Sequence, residues 1–182
     1  MNQIKHIAVI GAGTMGNGIA HVFAQYGFKV SLIDREKSIL NKALEVIEKN
    51  LTRQAEKKQI KSAEIPQILS SISLHSKLEE GIVHADLVIE AIIEDLQVKK
   101  QLFSNLSKIT AADTILASNT SSISITQLAQ VTFKPEKVIG MHFMNPVPIM
   151  NLVEIIRGYN TSDEVMKFTV DLSKKIKKTR FI

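Results

Sequence analysis

Short apolar runs alternate along this chain with longer stretches in which apolar residues recur at helical spacing. An apolar run that ends at a glycine turn predicts a first strand over residues 4–11, and a helix follows over residues 14–26, closed by Gly27. Further strands are predicted at residues 29–34, 86–90, 114–118, 137–142 and 152–157, and further helices at 97–109, 124–130 and 162–178. Buried strands separated by helices predict an α/β fold with a doubly wound, mostly parallel sheet.

A longer helical segment interrupts this alternation between residues 36 and 70. Its first part carries charges on one side and, on the other, apolar residues at helical spacing: Ile39, Leu40, Ala43, Leu44, Ile47 and Leu51. Its second part opens with Ser62-Ala-Glu-Ile-Pro, which is typical of a capped helix start, and runs to about Ser70. Because crossover helices are usually shorter, we expect a helical arm that projects from the sheet.

Composition narrows the class of protein. Hydrophobic residues make up 45% of the chain and charged residues 23%, as in folded globular domains, and the apolar runs are too short to cross a bilayer. There is no cysteine, which excludes disulfides, thiolate catalysis and cysteine-ligated metals. No cluster has metal-ligand spacing, so we expect no metal, and without a leader pattern at the start we expect a cytoplasmic location.

The net charge of +5 comes from residues 172–182, which hold no acidic residue and five cations: Lys174, Lys175, Lys177, Lys178 and Arg180. A basic tail can bind nucleic acid, but lysines are also favoured near helix C-termini. We interpret these residues as a solvated helix end and expect neither a nucleic-acid nor a membrane partner.

The first glycine turn has the spacing of a dinucleotide-binding site. In Gly11-Ala-Gly-Thr-Met-Gly, Gly11 permits the tight turn, Gly13 lets the backbone approach a pyrophosphate, and Gly16 lets the helix pack on the strand. Asp34 ends the second strand, 21 residues after Gly13, where a carboxylate can accept hydrogen bonds from a ribose and repel a 2′-phosphate. These features predict a Rossmann-type sheet that binds NAD rather than NADP, although the neighbouring Arg35 favours the opposite choice.

Four motifs are spread over nearly the whole chain. They are Gly11-Ala-Gly-Thr-Met-Gly-Asn-Gly-Ile-Ala, Glu90-Ala-Ile-Ile-Glu-Asp, Ser118-Asn-Thr-Ser-Ser and His142-Phe-Met-Asn-Pro-Val-Pro-Ile-Met-Asn-Leu-Val-Glu154. Through them the chain resembles the 3-hydroxyacyl-CoA dehydrogenase family, which includes the bacterial 3-hydroxybutyryl-CoA dehydrogenases. The resemblance implies an oxidoreductase of fatty acid metabolism (β-oxidation), with reversible NAD-dependent oxidation of a short-chain L-3-hydroxyacyl-CoA to the 3-ketoacyl-CoA.

The same resemblance implies roles for individual residues. His142 matches the catalytic base, Glu154 the carboxylate that orients it, and Ser121 the hydroxyl that holds the reacting oxygen. The implied cofactor contacts, besides the glycines and Asp34, are Met15, Glu94, Lys99, Asn119 and Ser121. The implied coenzyme A and substrate contacts are Asn50, Lys57, Ser121 and Asn145.

The resemblance also implies more chain than is present. Family members continue for about a hundred residues, roughly the size of a small domain, in an all-helical domain through which they mainly dimerise. We therefore expect residues 1–182 to be one NAD-binding domain, with its arm at 36–70, without the family's C-terminal helical domain, and a monomer or weak dimer. Phe181 and Ile182 are expected to begin a strand. Relatives usually carry glycine and proline where this chain has Lys177 and Arg180.

Two other functions stay open at this point. The chain could be an NAD(H)-binding module that is inactive without the rest of the family's structure. It could also keep the fold and the histidine–glutamate pair but act on a free hydroxy acid. Taken without the resemblance, a strand-end histidine and a surface charge are a better account of His142 and Glu154 than catalysis.

Overall fold

The computed structural model describes residues 5–181, which form one eight-stranded sheet with helices on both faces. The strands are β1 (His6–Ile10), β2 (Lys29–Ile33), β3 (Ile72–His75), β4 (Leu87–Glu90), β5 (Ile115–Ser118), β6 (Val138–Phe143), β7 (Leu152–Arg157) and β8 (Thr179–Phe181). The helices are α1 (Thr14–Gln25), α2 (Lys37–Glu56), α3 (Ile65–Ser70), α4 (Leu78–Ile82), α5 (Leu96–Ile109), α6 (Ile125–Ala129) and α7 (Asp163–Lys175). Single 3₁₀ turns lie at Ser62–Glu64 and Pro135–Lys137.

The strand order is β3-β2-β1-β4-β5-β6-β7-β8, and every pairing is parallel except that of β6 with β7. Every residue of β4 and of β5 is buried, as expected of central strands covered on both faces. The order reverses between β1 and β4, and this places a crevice outside their carboxyl ends. The predicted doubly wound, mostly parallel fold is therefore confirmed.

Two elements, one strand and one helix, were not predicted from the sequence. Strand β3 pairs with β2 at the edge of the sheet, and α4 follows it directly. The strand reads Ile-Ser-Leu-His and the helix is five residues long, so neither carries a periodic pattern long enough to recognise. Pairing with β2 and burial of Ile82 stabilise them, and both are tertiary effects.

The segment at 36–70 is helical as predicted, but it packs on the body of the domain instead of projecting from it. Helix α2 lies along α1 and buries a stripe along its length, Leu40, Ala43, Ile47 and Leu51. The predicted helix start at Ser62 is capped by Glu64, whose carboxylate accepts the Lys61 backbone N–H at 2.8 Å. Within residues 5–181, no helix has both the length and the apolar character needed to span a membrane.

The end of the chain departs from the predicted solvated helix. Helix α7 stops at Lys175. Lys177 has a φ of +53°, a backbone conformation that glycine adopts more easily than other residues. Glycine is also the residue that relatives were expected to carry near this position. Lys178 is buried, and its ammonium group donates hydrogen bonds to the backbone carbonyls of Val147 and Met150. The solvated interpretation is therefore wrong for Lys178. The predicted strand is present as β8, while Ile4 and Ile182 lie outside the described residues.

A buried histidine lies between α1 and α2. His21 has no solvent exposure, and neither of its ring nitrogens has a hydrogen-bond partner among the described residues. Burial lowers the pKa of His21 to about 4; the nearby amides of Gln54 and Gln25 oppose this fall, and the positive charge of Lys178 adds to it. The imidazole is therefore neutral in the folded protein near neutral pH.

Acid should destabilise the protein through His21. Between pH 6.5 and about 4 the unfolded chain binds a proton at this residue and the folded chain does not, so the free energy of unfolding falls as the pH falls. The full shift corresponds to about 3 kcal/mol. Urea unfolding measures this free energy at neutral pH and near pH 4.5. Between the two, it should fall further in the unaltered chain than in His21→Gln. Equal losses would contradict the assignment.

Candidate functional site

The glycine turn between β1 and α1 is shaped to hold a dinucleotide. Gly11 has a φ of +96°, and a Cβ there would lie 2.6 Å from the Ala91 carbonyl oxygen; a Cβ on Gly16 would lie 1.7 Å from the Gly11 oxygen. Above Gly13, in contrast, a Cβ would meet nothing within 4 Å. Helix α1 begins at Gly13 without a side-chain cap, so the amides of its first turn remain free for a phosphate. These residues fit the pyrophosphate of NAD.

Asp34 stands at the end of β2, half-buried beside this turn. Its Oδ2 accepts the Ala12 backbone N–H at 2.8 Å, and its Oδ1 accepts that of Glu36 at 3.2 Å. These bonds fix the carboxylate at the rim of the turn, where an adenosine ribose is expected. Arg35, its neighbour, is exposed.

Strands β6 and β7 bring the predicted histidine and glutamate together. The antiparallel register places His142 directly opposite Glu154, so both side chains leave the sheet on the same face. The distance between His142 Nδ1 and Glu154 Oε2 is 2.7 Å. Because an ionised carboxylate only accepts, Nδ1 carries the proton, and Nε2 is left with a free lone pair. The pair can therefore accept a proton at Nε2 and stabilise the resulting imidazolium.

The loop after β5 is held by Glu94. One oxygen of this carboxylate accepts hydrogen bonds from the Thr120 hydroxyl, from the Ser121 backbone N–H at 3.2 Å and from the Ser122 hydroxyl at 3.1 Å. Partial burial would raise the pKa of Glu94, but the Thr120 hydroxyl, the Lys99 cation and the Ser122 hydroxyl together lower it. Glu94 is thus an ionised acceptor that gathers the loop around itself.

One cleft of about 320 Å³ collects six of the predicted site residues. Its walls include Met15, Glu94, Asn119, Ser121, His142 and Asn145. Asn119 is fixed there because its side-chain oxygen accepts the Phe143 backbone N–H at 2.8 Å. Glu154 stands behind His142, and Lys99 does not line the cleft, since only 1% of its side chain is exposed. Among residues 5–181, no group of histidine and acidic side chains is arranged to hold a metal ion.

Two more cavities continue from this cleft towards α2. Asn145 lines both the cleft and a neighbouring cavity of about 440 Å³, which lies over Gly13. Asn50 lines that cavity and a third one of about 660 Å³, whose wall carries Lys57. The shared residues place the three cavities side by side between His142 and Lys57.

Several residues of the site were missed from the sequence. Glu90 and Thr120 are buried beneath the cleft, and the Lys178 ammonium holds the β6–β7 loop through the carbonyls described above. The sequence did indicate that one charged residue could be buried. Lys99 falls at the same helical spacing as Phe103 and Leu106, both of which are fully buried. No pattern in the sequence indicated which carboxylate would meet it.

Comparisons with known proteins agree with this geometry. Residues 6–181 match the family described as 3-hydroxyacyl-CoA dehydrogenase, NAD binding domain. A probable 3-hydroxybutyryl-CoA dehydrogenase of Bacillus subtilis is 47% identical over 97% of this chain and 61% of its own length. The crystal structure of 3-hydroxybutyryl-CoA dehydrogenase from Escherichia coli superposes with a TM-score of 0.95 at 37% identity, over 98% of this chain and 38% of that one.

A second similar structure is described with a different substrate. It is a diketoreductase described as acting on dicarbonyl compounds, with a TM-score of 0.90 and 29% identity, and the match covers all of this chain and 64% of that one. The chain thus spans about three fifths of the length of the curated relatives that it matches.

Cofactor choice gives a testable consequence of Asp34. A hydrogen bond to a charged acceptor contributes about 1.5–3 kcal/mol, so NADH should bind about ten- to a hundredfold more tightly than NADPH. In Asp34→Asn an oxygen remains for the Ala12 amide but the negative charge is lost, so this ratio should fall. Calorimetric titration with both cofactors measures it. Equal affinities in the unaltered chain would mean that Arg35 outweighs Asp34.

Proposed function

Since the chain belongs to the 3-hydroxyacyl-CoA dehydrogenase family through its NAD-binding domain, we propose that it carries the cofactor site and the catalytic pair of an NAD-dependent 3-hydroxyacyl-CoA dehydrogenase. The proposed substrate is short, with 3-hydroxybutyryl-CoA as the first candidate because the similar proteins bear that name. The observation that carries the proposal is the 2.7 Å contact between His142 and Glu154 at the cleft beside the glycine turn.

His142 and Glu154 are proposed to move the proton of the reaction. In the oxidation direction, Nε2 of His142 accepts the proton of the 3-hydroxyl group while the hydrogen on C3 leaves as hydride. Glu154 keeps the ring in the required tautomer and stabilises the imidazolium that forms. In the reverse direction the imidazolium returns the proton to the carbonyl oxygen. Ser121, exposed on the cleft wall, is proposed to hold the reacting oxygen near Nε2.

The remaining residues are proposed to bind and orient the reactants. Bound NAD supplies the hydride acceptor. The turn at Gly11, Gly13 and Gly16 with the first amides of α1 holds its pyrophosphate, Asp34 its adenosine ribose, and Met15, Glu94 and Asn119 border its nicotinamide half. Orientation matters because hydride transfer requires closely aligned, water-excluded partners.

The three adjoining cavities support a coenzyme A thioester as substrate over a small acid. An acyl group beside His142 would leave the rest of the ligand to pass Asn145 and Asn50 and to reach Lys57. Lys57 is exposed at the end of α2, with Arg53 on the wall of the same cavity. Two cations at the far end suit the phosphates of coenzyme A.

The surroundings of the chain are proposals too. Residues 1–182 are proposed to form one NAD-binding domain that works in the cytoplasm on acyl-CoA, without a nucleic-acid or membrane partner. By the resemblance, the family's dimer contacts lie mainly outside the part that this chain covers. The chain alone is therefore proposed to be a monomer or a weak dimer.

Reduction of acetoacetyl-CoA by NADH tests the main proposal. The unaltered protein should turn over, and His142→Ala should lower kcat by about 10²–10⁴-fold because the proton relay is lost. His84→Ala, which changes an exposed histidine outside the site, is the matched control and should keep full activity. Turnover unaffected by His142→Ala would contradict the mechanism. NADH binding without any turnover would identify a binding module instead.

A second candidate keeps the fold and changes the substrate to a free hydroxy or keto compound, as the similarity to the diketoreductase suggests. Lys57→Ala distinguishes the two. If coenzyme A is bound, the KM for the acyl-CoA should rise roughly tenfold, in keeping with one lost charge-assisted contact. Lys49→Ala, on an exposed position of the same helix, should leave it unchanged. No effect of Lys57→Ala would favour the second candidate.

A further inference from the structure

Two opposite charges are fully buried beneath the catalytic cleft. Glu90, the last residue of β4, has no solvent exposure, and Lys99 reaches it from α5 with 2.5 Å between its Nζ and the Glu90 Oε1. Taking both charges out of water is unfavourable, and an apolar pair of similar size is often equally or more stable. Stability alone therefore does not account for this pair.

The pair is connected to the catalytic loop by an ion pair and a set of hydrogen bonds. The Lys99 ammonium group also lies 3.3 Å from the Glu94 Oε2. The other oxygen of Glu94 accepts the Ser121 backbone N–H and the hydroxyls of Thr120 and Ser122. Lys99 thus fixes one side of a carboxylate whose other side holds the loop that carries Ser121.

Glu90 ties the same assembly to the sheet. Its Oε1 accepts the Ile92 backbone N–H at 2.7 Å, and its Oε2 accepts the Ser118 hydroxyl at 2.6 Å. Glu90 and Ser118 are register partners at the ends of β4 and β5, so the carboxylate joins the starts of the two loops that bound the cleft. The position of Lys99 is therefore set by the rigid centre of the sheet.

Burial decides between two roles for Lys99. A residue that bound the cofactor directly would expose its ammonium group to the cleft, but only 1% of the Lys99 side chain is exposed and both of its carboxylate partners are in place. Glu94 does border the cleft, with 40% of its side chain exposed, and its position depends on the cation behind it. Lys99 therefore acts through Glu94.

We propose that Glu90 and Lys99 are positioning residues for the reaction: their buried ion pair anchors Glu94, which holds Ser121 in place beside His142. The proposal rests on the function proposed above, because it assigns Ser121 to the reacting oxygen. It differs from a purely structural role in one respect. A structural pair can be replaced by neutral residues without loss of activity, whereas an anchor cannot.

The test separates stability from turnover in three variants, Lys99→Met, Glu90→Gln and the two combined. Lys99→Met leaves the buried Glu90 carboxylate without its cation and should melt at a lower temperature. Glu90→Gln should lower the melting temperature less, because Lys99 keeps its contact with Glu94. The double variant has neither charge, and its melting temperature should return most of the way to that of the unaltered protein. Lys108→Met, at an exposed position of α5, is the matched control and should change nothing.

Activity should not recover with stability. In the double variant Glu94 has lost its cation, so kcat for acetoacetyl-CoA reduction should stay roughly tenfold low, as expected when a reacting group is misplaced. The KM for NADH should change less than kcat, because the glycine turn that holds the pyrophosphate is untouched. A double variant with both the melting temperature and the kcat of the unaltered protein would overturn the proposal.

Amide hydrogen exchange gives a readout that needs neither cofactor nor turnover. In the unliganded protein the Ser121 amide donates to Glu94, so it should exchange about tenfold faster in the double variant, whose stability is largely restored, while amides of β4 keep their rates there. Unchanged Ser121 exchange would overturn the proposal. If the unaltered protein fails to reduce acetoacetyl-CoA, the proposed function fails, and the exchange rates still decide whether the pair anchors the loop.

Discussion

The close approach of α1 to the ends of β1 and β4 is the contact on which the rest of the site depends. A side-chain carbon at Gly16 would lie 1.7 Å from the Gly11 oxygen, and one at Gly11 would lie 2.6 Å from the Ala91 oxygen, so only glycine allows this packing. It fixes the free amides of the first helical turn over the crevice where the strand order reverses. β4, β5 and β6 end at the same edge, and so their loops meet the cofactor end of the cleft.

The protein also buries several ionisable groups where water is largely excluded. Lys99 and Glu90 lie under the serine loop, Lys178 holds the loop between β6 and β7 by its carbonyls, and His21 is kept neutral between α1 and α2. Buried charge is unfavourable unless each group is paired or hydrogen-bonded. Two of these three groups contact a loop that lines the catalytic cleft, so the charges inside this domain are concentrated where loop positions matter most.

The pairing of His142 with Glu154 depends on a local change of strand direction. Every other pairing in the sheet is parallel, and only the antiparallel turn between β6 and β7 sets two residues twelve positions apart face to face. The same turn carries Asn145 towards the neighbouring cavity, and Val147 packs so tightly on α1 that a Cβ at Gly18 would lie 2.9 Å from it. The proposed catalytic pair and the cavity-lining Asn145 therefore lie in one short piece of chain.

The sequence by itself determined the α/β alternation, the glycine turn with Asp34, and, through the family's motifs, His142, Glu154 and Ser121. These are local patterns, since periodicity and short motifs need no knowledge of distant contacts. Only the tertiary structure decided that β3 joins the sheet, that α2 lies along α1, that Lys178 is buried, and that Glu90 is the partner of Lys99. Each depends on which segments pack together, because a charge or a short strand is stabilised inside a protein by partners that lie far away in sequence.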